Sequence, residues 1–221
     1  MPLAAVRSQA RPMSGAEFRS FQEKRPDHER WELIGGLPVM MTPPFMEHNR
    51  IASNLENLLN AALREHDATR MAVQRPGIEC EWPDAVVTQL GKRGDYRPEP
   101  DVAVVSYDDV VAGKRFTAAG FLLAEVVSST DEETARVGGE RWVDVKVRLY
   151  QSHAPCEAVV LIEQDRVHLT VLTREEEGWI RQDLKDLDDP IAIPSMGLSC
   201  TVGDIYADTR WQPRAVPGHT P

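Results

Sequence analysis

Apolar residues recur at helical spacing in some stretches and in short continuous or alternating runs in others, which predicts a chain of mixed helices and strands. From Met46 to His66, Ile51, Leu55, Leu58, Leu59 and Ala62 form the stripe of an amphipathic helix. An earlier helix is expected near Ser14, where "SGAEFRSFQEK" offers a serine cap and Glu17 three residues on, with Pro26 as its stop. Between them, "RWELIGGLPVMM" sets two short apolar runs around Gly35-Gly36, a hairpin signal. Thr69 to Val105 breaks into short β-like pieces separated by Pro and Gly, among them "DAVVTQL" and "PDVAVVS".

The second half repeats this alternation. Phe121 to Val127 reads as a strand buried on both faces. In "SSTDEETARVGGERWVDVKVRLYQSH", Ser or Thr before acids starts a helix and the Gly pair breaks it, after which Trp142, Val145 and Leu149 line up as a single apolar face. "CEAVVLIEQ", "RVHLTVLTR" and "GWIRQDL" read as an antiparallel run, with a last strand and turn in "IAIPSMGLSCTVGDIYAD". The pattern predicts one domain over 14–208, with 1–13 and the Pro-rich 209–221 as flexible tails.

Composition narrows the class. A chain of 221 residues that is 42% hydrophobic can build one sizeable core. Its longest apolar runs fall far short of the roughly 18 residues of a membrane span, and "MPLAAVRSQARPM" lacks the apolar core of a signal peptide. Cys80, Cys156 and Cys200 lack metal-ligand spacing and read as reduced thiols of a cytoplasmic protein. The net charge of −10 disfavours general binding to polyanions. Much of the acid, however, lies in stretches such as "TREEEGW" and "DLKDLDD" that read as solvated loops.

One carboxylate stands out, because Glu125 sits inside the apolar run "FLLAEVV", where an unpaired charge is costly to desolvate. Asp101 follows Pro100 at the head of another apolar run, and paired strands would bring the two acids together as oxygen ligands for a hard cation such as Mg²⁺ or Mn²⁺. Lys146, four residues from both Trp142 and Tyr150, offers a positive group for phosphodiester chemistry. Each has a plainer reading: Asp101 as a turn acid, Glu125 paired with Arg115 or Arg141, Lys146 as a surface lysine. Glu32, alternating with Trp31 and Leu33, reads as the solvent face of a hairpin; His48 and Arg50 open a helix within reach of a phosphate, but read more simply as a solvated helix end. The basic loop 92–98 suits either a nucleic-acid backbone or no partner.

Pro100-Asp101, "LLAEVVSST" and a helix with "KVRLY" together resemble the PD-(D/E)XK nuclease superfamily and, more closely, the Uma-two family of endonucleases. "RWELIGGLPVMMTPPFMEHNRIASNLENLL" is similar to that family's opening and "MGLSCTVGDIYAD" to its close, so the likeness spans about Trp31 to Asp208. It implies an α/β, restriction-endonuclease-like core: a mixed central sheet flanked by helices, with an N-terminal helix and hairpin. It also implies metal-dependent hydrolysis of nucleic acid, DNA foremost, with Asp101 and Glu125 as metal ligands and a homodimer in which two sites meet two strands. The superfamily's lysine two residues after the Glu falls at Val127, and Lys146 stands in from the helix. Glu32 adds a further acid to the expected catalytic set, while Trp142 replaces an acid of the family pattern. The alternative is an altered nuclease fold that binds nucleic acid or a protein without cutting.

Overall fold

The computed structural model describes residues 12–26, 28–79, 82–89, 95–127, 136–137 and 140–215. Cys80, the first three residues of the basic loop 92–98 and the expected helix start at 128–131 lie outside them.

Local signals set the first elements. Ser14 accepts from the Glu17 amide and Glu17 reaches back to the Ser14 amide, the capping box that opens α1 (Gly15–Gln22). Strands β1 (Trp31–Ile34) and β2 (Leu37–Met40) pair antiparallel across Gly35-Gly36, whose φ of 57° and 81° supply the left-handed turn a two-residue hairpin needs. Helix α2 (Met46–His66) covers the stretch its stripe marked.

Strands β3 (Arg70–Gln74) and β4 (Gly77–Ile78) lead to a short helix, α3 (Asp84–Gln89), where "DAVVTQL" reads as a strand in sequence. Pro83 decides this, because its carbonyl accepts from the amides of Val86 and Val87 and closes a helical turn against the β preference of two valines. There follow β5 (Val102–Ser106), α4 (Tyr107–Val111), β6 (Phe116–Thr117), β7 (Gly120–Val127), β8 (Arg136–Val137), β9 (Glu140–Arg141) and α5 (Trp142–Ser152). The chain ends through β10 (Ala158–Glu163), β11 (Leu169–Glu175), β12 (Gly178–Leu184), β13 (Pro190–Ile193), β14 (Leu198–Thr201) and α6 (Val202–Tyr206).

Six strands form the central sheet in the order β12-β11-β10-β7-β5-β3. Within it only β7 and β10 run parallel; α5 connects them, as a parallel pair requires a crossover. The sheet is therefore mixed. On one face Val102, Val104, Leu122, Ala124, Val126 and Val160 meet Ile51, Leu55 and Leu59 of α2 together with α6. On the other, Ala103, Val105, Leu123 and Val159 meet Trp142, Val145 and Leu149 of α5. The period of two along β5 and β7 puts Asp101 and Glu125 on the α5 face.

Two residues of the expected tail, Thr209 and Trp211, pack against the domain, while Arg210 and residues 212–215 are exposed. Thr209 is buried, and Trp211 lies against the α2-side core while its indole donates to the carbonyl of Gln164 at 3.0 Å. Among the described residues no helix is long and apolar enough to cross a membrane.

Candidate active site

The register of the central strands brings the two acids together. Val102 pairs with Ala124 in the antiparallel β5/β7 ladder, so the next positions, Asp101 and Glu125, stand opposite each other. Asp101 Oδ2 accepts from the Val126 amide at 3.0 Å, which pins that edge of the carboxylate to β7.

Helix α5 supplies three donors from one face, because residues four apart stack along it. Trp142 Nε1 donates to Glu32 Oε2. Lys146 Nζ donates to Glu32 Oε1 and to Glu125 Oε2, each at 2.9 Å, and Tyr150 donates to Glu125 Oε1 at 2.6 Å. Glu125 is thus held by Lys146 and Tyr150 rather than by Arg115 or Arg141, the partners weighed from sequence. Lys146 is 3% exposed and so is no surface lysine. Glu32 is fully buried rather than solvent-facing, because the segment before β5 covers that side of the hairpin: Leu33 bridges Arg97, and the Glu99 amide donates to Glu32 Oε1 at 3.2 Å. Trp142, standing where the family resemblance leads one to expect an acid, contributes a donor. Val127, at the superfamily's lysine position, is buried.

Three further groups complete the cluster, and sequence reading assigned none of them to it. Arg30, just before β1, donates through Nη1 to Asp101 Oδ1 at 3.0 Å and through Nη2 to the Glu99 carbonyl at 2.5 Å. Glu99 is buried and accepts from Gln22 Nε2 at 3.0 Å. His48, read as belonging to a solvated helix end, is 5% exposed, with Nε2 3.2 Å from Asp101 Oδ1 but without the geometry of a directed hydrogen bond. Arg50 lies apart, on Asp208. The only signal for Arg30 in the sequence is its place beside a strand that carries an acid.

Electrostatics separate the two central acids. Burial alone would raise the Asp101 pKa, but the Arg30 guanidinium and His48 outweigh it and hold the carboxyl well below the usual range. Burial pushes Glu125 up to about 7, aided by the Asp101 and Glu32 carboxylates and opposed by Lys146. Burial also works against the Lys146 ammonium, yet Glu125 and Glu32 together hold its pKa above that of an ordinary lysine. Within this pair the lysine keeps its charge, and Glu125 is the group whose charge burial contests. Glu99 is raised by burial and by the Glu32 carboxylate.

The donor set suits a hard divalent cation in kind and charge. Among the described residues, Glu32, Glu99, Asp101 and Glu125 form ion pairs with two permanent cations, Arg30 and Lys146, an excess of two negative charges when all four acids are ionised. Each carboxylate oxygen has two lone-pair directions, and Asp101 Oδ2 and Glu125 Oε1 and Oε2 each accept one hydrogen bond. Among the described residues no three His, Cys, Asp or Glu side chains form a ready ligand set. Mg²⁺ needs only one or two carboxylates and fills its remaining positions with water.

The mixed sheet, the N-terminal hairpin and the acid cluster where β5 and β7 pair define a mixed α/β protein with a buried carboxylate site. The fold matches a crystal structure of a "putative nuclease belonging to DUF820" from Anabaena variabilis ATCC 29413, with a TM-score of 0.65 and 16% identity over 88% of this chain and 98% of that one. The chain belongs to the Uma2 family, described as "Putative restriction endonuclease", whose model matches residues 16–203. Comparison with curated proteins finds no similar sequence.

Proposed function

We propose that this chain is a divalent-metal-dependent endonuclease that hydrolyses phosphodiester bonds in nucleic acid, DNA foremost. Asp101 and Glu125 hold Mg²⁺ or Mn²⁺, and Lys146 orients the attacking water and stabilises negative charge developing on the phosphoryl group. When bound, the ion supplies Lewis acidity and a bound water of lowered pKa. Glu32 and Tyr150 fix Lys146 and Glu125 in place, and Trp142 fixes Glu32. The observation that carries the reading is the meeting of Asp101, Glu125 and Lys146 at one buried point from three separate elements. Arg75 adjoins it through the main chain, its amide donating to the Asp101 carbonyl at 3.3 Å and its φ of 56° being a strained conformation, while its guanidinium donates to Asn49 Oδ1 at 2.9 Å. Such local cations matter more to a phosphate than the net charge of the chain.

A second reading, a nuclease fold that binds without cutting, is favoured by one observation. Every oxygen of the Asp101 and Glu125 carboxylates already has a protein partner. The two readings separate on a panel of single-stranded, duplex and branched DNA and of RNA, with Mg²⁺ or Mn²⁺. The endonuclease reading expects metal-dependent products that vanish in Asp101→Asn. Salt-sensitive association without products supports the second reading, and cleavage by Asp101→Asn at the wild-type rate removes Asp101 from the chemistry.

A further inference from the structure

Asp101 has two unequal edges. Oδ2 is tied to the main chain of β7 by the Val126 amide, and Oδ1 is the edge that side chains reach. That edge holds Arg30 Nη1 at 3.0 Å, with His48 Nε2 at 3.2 Å. Arg30 is poised between two acids, since its Nε lies 3.9 Å from Glu99 Oε2 and makes no hydrogen bond. Its Nη2 remains anchored on the Glu99 carbonyl and stands 3.7 Å from Glu32 Oε1. The guanidinium can therefore swing from Asp101 towards the Glu99 carboxylate without leaving the cluster or losing a charge partner.

A divalent cation and a guanidinium at Asp101 Oδ1 repel each other and compete for its lone pairs, the more so with His48 Nε2 already 3.2 Å from that oxygen. We propose that Arg30 is a built-in counter-ion that occupies the metal-facing oxygen of Asp101 in the metal-free protein and moves to the Glu99 carboxylate when the metal enters. Arg30 thereby keeps buried acids neutralised between turnovers and sets a weak affinity for the ion. The inference rests on Asp101 being a metal ligand, as proposed above, and adds a residue that works against the metal.

The test is Mn²⁺ affinity of the full chain, read by the loss of the free-ion electron paramagnetic signal, with no nucleic acid and no turnover involved. Wild type, Arg30→Lys, Arg30→Gln and Asp101→Asn are compared, with circular dichroism melts to confirm folding. A charge-assisted hydrogen bond removed from the competing side predicts tightening of about ten- to a hundredfold in Arg30→Gln. Arg30→Lys, a cation that cannot span Asp101 and Glu99 together, falls between Gln and wild type, and remains informative if the Gln variant fails to fold. Binding by the variants where wild type shows none also supports the counter-ion role. Equal or weaker affinity in the Arg30 variants, alongside binding by wild type that Asp101→Asn abolishes, overturns the role of Arg30 and leaves the metal site standing. Absence of Mn²⁺ binding in every form overturns both.

Discussion

The two faces of the central sheet are built from the same strands and solve different problems. On the α2 side, Val102, Val104, Leu122, Ala124 and Val126 meet Ile51, Leu55 and Leu59 with no charge between them. On the α5 side Asp101, just before β5, and Glu125, inside β7, face each other, and α5 buries Lys146 and Tyr150 among its apolar residues. The first face gains from every area it removes from water. The second gives back some of that gain, since burying ions costs several kcal/mol each unless partners repay it. The cluster is therefore a net cost that the apolar face offsets, which is what the endonuclease reading proposed above would require.

The sharpest way to break this contrast is Lys146→Met. It removes the ammonium from two buried carboxylates and leaves their charges uncompensated, for which the expected loss is about 3–5 kcal/mol. Urea unfolding at pH 8 measures it. The loss should shrink at pH 5, because burial already raises the Glu125 pKa and without Lys146 the group takes up a proton still more readily. A loss below about 1 kcal/mol would mean that the pair behaves as a solvated one. Activity of this variant is interpretable only beside its stability.

Leu59→Ala probes the other face. Leu59 is fully buried on α2, so truncation should cost about 2–5 kcal/mol through lost burial and a residual cavity. Here the loss should be the same at pH 5 and pH 8, because the side chains it packs with in the core are apolar. A pH-dependent loss would show that the two faces are coupled.

What the sequence disclosed follows the same division. The α2 face was legible because burial there is periodic, and the 3.6-residue stripe and the two-residue alternation state it directly. Glu125 and Asp101 were legible for the opposite reason, as charges in apolar runs that burial would penalise. Arg30 and His48 were not, because each sits in a polar stretch beside an element end, where a charge is ordinary. Their contacts with Asp101 span 71 and 53 positions of chain. For Glu32, named in the expected catalytic set, the plainer solvent-face reading fails because alternation within a hairpin assumes one wet face, whereas Arg97 to Glu99 cover it. The short helix α3 shows a turn closed on the Pro83 carbonyl overriding strand propensity.

The smallest expected effect concerns a group on the α5 side that the fold keeps neutral. His153, at the C-terminal cap of α5, is buried beside Trp82, and its Nε2 accepts from the Gly120 amide at 3.2 Å, tying the helix end to the start of β7. An imidazolium has no lone pair for that amide, and burial with the Arg174 guanidinium nearby lowers the His153 pKa from 6.5 to about 4. Between those values the unfolded chain binds a proton that the folded chain refuses, so stability rises with pH across the window and is lost as pH falls through it. After allowance for partial solvent screening, this group should account for about 1–2 kcal/mol between pH 7 and pH 4.5. His153→Gln keeps an acceptor for Gly120 and does not titrate, so the difference between its unfolding free energy and that of wild type should change by that amount across the window. Parallel curves for the two proteins would show that His153 takes up its proton as easily folded as unfolded, and that the α5 face tolerates a third buried cation.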